Sequence, residues 1–154
     1  MKHIEAERYA EAVLVARKAI KQGVEAERAR LLAKRHEYLG NIVAGGEVSD
    51  PTEKDVEKKL ARISVLRCQQ DGKTFLIYHP EKWLEVFDKT FACFRDRYGD
   101  EALQLVRLRY VYGWTTVRIA EEKKISRRAY NNQRDKFLAM LLQHTLQAGL
   151  LQID

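Results

Sequence analysis

The sequence predicts a mainly α protein, on three observations. Proline occurs twice in 154 residues, while charged residues make up 32% of the chain. Apolar residues recur at steps of three and four over most of its length, the spacing that gathers them on one face of a helix. Helix-starting and helix-stopping residues also fall where those patterns begin and end, with Pro80, Thr115 and Ser126 at starts and Gly99 and Gly113 at ends.

In chain order, the first pattern runs from Ile4 to about Gln22 with Ile4, Tyr9, Val13, Ala16 and Ile20 in phase, and Gly23 punctuates it. A second pattern follows through Leu31, Leu32, Tyr38, Leu39 and Ile42. The two form either one long helix or an αα-hairpin, since an isolated glycine costs a helix only ~1 kcal/mol. Residues 1–48 are therefore expected as an N-terminal helical segment for oligomerisation or partner binding, because an Ala/Glu/Arg hairpin has little apolar surface of its own. The Gly45-Gly46 pair and Ser49-Asp50-Pro51-Thr52 mark a linker. Beyond it a helix is expected from Glu53 to about Leu66, capped by Asp50 or Thr52, with Val56, Leu60, Ile63 and Leu66 on one stripe. Asp71-Gly72, flanked by the strand-forming run Thr74 to Tyr78, signals a small β-hairpin near 64–78, with an extended connector as the alternative. Residues 49–79 thus read as linker helix and connector. Pro80 opens a helix to Tyr98 whose face of Trp83, Leu84, Phe87, Phe91, Phe94 and Tyr98 is core-forming, and Gly99 closes it.

Composition narrows the function. The formal charge is +6 and the sequence pI about 9.3, a balance that suits a polyanionic partner without specifying a fold. No apolar run approaches the ~20 residues of a membrane span, and the acid-bearing N-terminus does not read as a secretory signal. Cys68 and Cys93 form no CxxC pair, and the four histidines show no ligand spacing, so neither metal nor cofactor is expected. No nucleophile–base pair or phosphate-cradling glycine loop points to an enzyme; Asp96, Asp100 and Glu101 read as helix-end acids.

From residue 80 to 154 the sequence reads as a helix-turn-helix domain. After a helix from Glu101 to about Val111, Gly113 breaks the chain, Thr115 caps a short helix Thr116 to Lys123, Ile125 fills a turn, and Ser126 caps a final helix to about Thr145. Two crossing helices need a small residue at the crossing, an apolar plug in the turn and an inward residue after the cap. Ala120, Ile125 and Tyr130 stand at those places. The outer face of the last helix then offers Arg127, Arg128, Asn131 and Asn132 to base edges, since arginine pairs bidentately with guanine and asparagine with adenine. Thr115, Thr116, Arg118, Arg134 and Lys136 are candidates for phosphate contacts.

Residues 105–142 resemble region four of bacterial sigma factors and, more closely, the phage late-gene transcription regulators of the ArpU/RinA type. The resemblance rests on VRLRY at Val106–Tyr110, YGWT at Tyr112–Thr115, IAEE at Ile119–Glu122, ISRRAY at Ile125–Tyr130 and RDKFL at Arg134–Leu138. It implies a sigma-like fold for this third of the chain, base-reading roles for Arg127, Arg128, Asn131 and Asn132, and a phage or prophage regulator acting on double-stranded DNA in the cytoplasm of a bacterial host. It also raises RNA polymerase as a partner, through the outer face near Arg107 and Arg109. The chain departs from the family at Lys123-Lys124, where leucine-glycine is usual, and at Gln133, where an apolar residue is common. If the turn keeps its left-handed residue, Lys124 carries roughly 1–2 kcal/mol of strain. The competing function is a small terminase-like packaging protein that oligomerises on DNA.

Overall fold

A computed structural model describes residues 1–45 and 63–154. Among them the chain is mainly helical with one two-stranded antiparallel sheet. The elements are α1 (His3–Val15), α2 (Arg17–Gly45), β1 (Val65–Gln70), β2 (Lys73–Tyr78), α3 (Pro80–Tyr98), α4 (Asp100–Tyr110), α5 (Thr116–Lys123) and α6 (Arg127–Gln147). None of the described helices is long and apolar enough to cross a membrane. The expected helix from Glu53 lies outside the described residues except at its end, where Leu66 belongs to β1 and not to a helix.

The chain divides into two compact units, residues 1–18 with 82–154, and residues 19–81. Within the first unit, α1 packs on α6.

In the first unit, α1 buries Ala6, Ala10, Val13 and Leu14. Ile4 and Tyr9, expected on its inner stripe, are exposed. The reason is close approach: two alanines let one helix lie near another, and the bulkier residues turn outward. The Tyr110 hydroxyl donates to Glu11 Oε1 at 2.8 Å, tying α1 to α4. Phe137 of α6 is the hub of the aromatic core, stacked on Phe91 at 5.4 Å and Tyr110 at 5.9 Å and met edge-on by Phe94 at 5.3 Å. Such offset and edge-to-face pairs stabilise beyond simple area burial.

In the second unit, α2 runs through Gly23 unbroken; the helix boundary falls at Ala16 instead. Gly23 serves packing, since a Cβ there would sit 2.8 Å from a Leu66 methyl. The hairpin pairs Leu66 with Ile77 and Cys68 with Phe75. With a side-chain period of two, this turns Leu66, Cys68 and Ile77 inward and leaves Val65, Leu76 and Tyr78 exposed. Its two-residue turn has Asp71 at φ 51° and Gly72 at φ 74°, the double positive φ of a type I′ turn. The hairpin was therefore the correct alternative. Arg28 forms a two-nitrogen ion pair with Glu81, its Nε 2.7 Å from Oε1.

Candidate nucleic-acid interface

The site is assembled from α4, α5 and α6. Local bonds shape the approach to α5. Trp114 N–H donates to the Leu108 carbonyl at 2.9 Å, and Arg109 Nη1 braces the same loop by donating to the Trp114 carbonyl at 3.2 Å. Gly113 supplies the positive φ of 72° that this bend requires. Thr115, in extended backbone, then caps α5, its Oγ1 accepting from Arg118 N–H at 3.2 Å. That bond leaves the hydroxyl proton free to be donated.

The α5–α6 turn is a Schellman closure. Ile125 N–H reaches the Ala120 carbonyl at 3.1 Å, and Lys124 N–H the Glu121 carbonyl at 3.3 Å. Lys124 sits at φ 53°, ψ 46°, so the left-handed conformation is retained with lysine in place of glycine. The end of α6 closes with the same pair of bonds, Leu150 to Thr145 and Gly149 to Leu146, and there a glycine takes the left-handed position at φ 72°. Ser126 caps α6, its Oγ accepting from Ala129 N–H at 3.0 Å. Leu108, Ile119 and Tyr130 form the small core under the turn, with Leu105, Trp114 and Ile125 packed against it. Ile125 and Tyr130 thus occupy the expected places of plug and inward residue.

At ~100° per residue, Arg127, Asn131, Arg128 and Asn132 span an arc of roughly 140° on α6. Arg127, Arg128 and Asn132 are exposed and Asn131 is half-buried. Tyr130 points the other way, at 1% exposure. Its hydroxyl is buried without a hydrogen-bond partner, and burial pushes its pKa up against the opposing pull of Arg109 and Arg134. Burial beside Glu11 drives Tyr110 further up, so it stays a hydrogen-bond donor at any working pH.

The first turn of α6 contains two arginines and no acid. Cations there oppose the positive end of the helix macrodipole, which favours anions by ~0.3–1 kcal/mol. The sequence thus gives up stability at the place where a phosphate or base-edge acceptor would recover it.

The expected phosphate contacts differ in availability. Arg118 is exposed and stacked 3.8 Å over the Trp114 ring, which fixes its guanidinium. Lys136 is exposed, 5.2 Å over the Tyr98 ring. Thr115 is exposed and Thr116 half-buried. Arg134 lies at the inner edge of the arc: its Nε is buried without a hydrogen-bond partner and its Nη2 is 3.3 Å from Asp135. It faces the Tyr110–Tyr130 side of the helix more than solvent. Sequence reasoning missed Asp135, an exposed acid near the middle of the arc. Its helical angle was readable from the sequence. A carboxylate there accepts from donors such as the cytosine amino group and repels phosphate.

The fold and site define a capped helix-turn-helix with a basic and amide-bearing outer face. Comparison with protein-family models, curated proteins and solved structures finds no match for this chain.

Proposed function

We propose that this chain is a sequence-specific DNA-binding transcription regulator, of the phage late-gene type, that reads the major groove with the N-terminal half of α6. The supporting observation is the first turn of α6, where Arg127 and Arg128 stand exposed against the helix dipole while the Ser126 cap and buried Tyr130 fix that turn. Arg127, Arg128, Asn131 and Asn132 are the base-reading residues. Thr115, Thr116, Arg118 and Lys136 hold the backbone, and Arg134 makes at most an edge contact. Arg109 is spent on its own loop, so any RNA polymerase contact in this region rests on Arg107. Self-association through the N-terminal helices falls to α2, because the buried side of α1 is covered within the chain.

Selection of bound duplexes from a random pool, followed by the Arg128→Ala variant, tests the reading. A single enriched motif is expected, and Arg128→Ala should cost about 1–3 kcal/mol on it and relax discrimination at one position. Enrichment of no motif, with ring-sized particles by light scattering, would favour the packaging function instead.

A further inference from the structure

The first compact unit carries a recess of about 240 Å³ between α3, α4 and the first residue of α2. Three guanidinium-bearing side chains line it, Arg17, Arg95 and Arg107, against one carboxylate, Asp88. Phe91, Leu103 and Val111 supply its apolar lining. A neighbouring recess of about 310 Å³ shares Arg95, Leu103 and Arg107 and continues past Asp100 to Tyr112, which is 63% exposed.

The charges in the first recess are poorly compensated. Arg17 reaches Asp88 only at 3.5 Å, and its Nε is buried without a hydrogen-bond partner among the described residues. Among the described residues Arg95 pairs only with its sequence neighbour Asp96, at 4.0 Å. Arg107 has no ion pair among the described residues. Arg17 is also held in place, three-quarters buried with its guanidinium 5.9 Å over the Phe91 ring. A packed arginine has already lost its rotamer freedom, so a carboxylate that meets it loses little further entropy.

We propose that this recess is a docking site for an acidic peptide segment of a protein partner, one that places a carboxylate among Arg17, Arg95 and Arg107 and an apolar neighbour on Phe91 and Leu103. The apolar lining and the acids, Asp88 in this recess and Asp100 in its neighbour, favour such a segment over a nucleic-acid backbone. A backbone would bring a row of negative charges past both acids and nothing to cover the apolar lining. The site is separate from the outer face of α6 and does not rest on the DNA-binding reading.

The test uses the full chain and fluorescence anisotropy at physiological salt, where screening confines charge effects to within about 8 Å. The probes are a short labelled peptide alternating glutamate with leucine, its counterpart alternating lysine with leucine, and a labelled duplex. The double variant R95Q/R107Q changes two exposed side chains, and an unchanged circular dichroism melt confirms its fold. Binding of the glutamate peptide with a loss of about tenfold or more in the double variant is expected, with duplex affinity held within about threefold. Glutamate-peptide binding that is absent, matched by the lysine peptide or indifferent to the double substitution would overturn the proposal. So would a fall in duplex affinity as large as the fall in peptide affinity, which would assign these arginines to a nucleic-acid footprint.

Discussion

The two halves of α6 are built differently. From Arg127 to Asp135 one side chain, Tyr130, is fully buried, and the rest is arginine, amide, Asp135 and the small exposed Ala129. From Phe137 to Thr145 the helix buries Phe137, Leu138, Leu141, Leu142 and Thr145. The rear half supplies the packing energy, and the front half is carried rigidly from it, so its surface is free to be chosen for something other than stability. The Ser126 cap, the Lys124 turn and Tyr130 join the front half to its surroundings.

Phe137 is the side chain on which the rear half most depends. Phe137→Ala empties the centre of the aromatic cluster and should cost about 3–5 kcal/mol, read as a lower melting midpoint in denaturant; a loss below 1 kcal/mol would mean the rear half is not the anchor. Ser126→Ala removes the cap bond to Ala129 and should cost about 1 kcal/mol, with fraying limited to the front half in amide exchange. Lys124→Gly has the opposite sign. It relieves the left-handed strain but adds chain entropy to the unfolded state, for a net gain of about 0.5–1 kcal/mol. If that variant is less stable, the lysine side chain makes a contact worth more than the strain.

Mild acid should produce the smallest effect, and in the rear half. Thr90 Oγ1 donates to the Val86 carbonyl at 2.7 Å and so accepts from His144 Nδ1 at 2.8 Å. Burial, with a smaller push from Lys89, lowers the His144 pKa. A group with a lowered pKa takes up its proton more readily when unfolded. Stability is therefore full above the ordinary histidine value of about 6.5 and declines as pH falls through and below it. His144→Gln should flatten this part of the pH–stability curve.

How well the sequence could be read followed the range of the forces involved. The start of α3 at Pro80, the Thr115 and Ser126 caps, the Asp-Gly hairpin turn and the inward Tyr130 all rest on interactions between residues a few positions apart, and each was legible. The inner face of α1 was not. It is made of Ala6 and Ala10, which carry almost no hydrophobic contrast against Ile4 and Tyr9, and only the approach of α6 decides which side is covered. Gly23 reads as punctuation in the sequence, although its role is to admit Leu66 from a strand more than 40 residues later. Within the candidate interface the outward residues followed from helical geometry. Arg134 is half-buried beside Tyr110 of α4, which could not be seen in α6 alone.

The bond from Tyr110 to Glu11 spans 99 residues, and that separation sets an order of events during synthesis. At about 5–20 residues per second, α1 waits roughly 5–20 s for the α4 residue that ties it down, and longer for α6. During that interval its Ala6–Ala10–Leu14 side has no native cover, so early α1 must stay soluble on its charged residues alone. The scarcity of large apolar groups on that side, which made α1 hard to read, is also what lets it wait without aggregating.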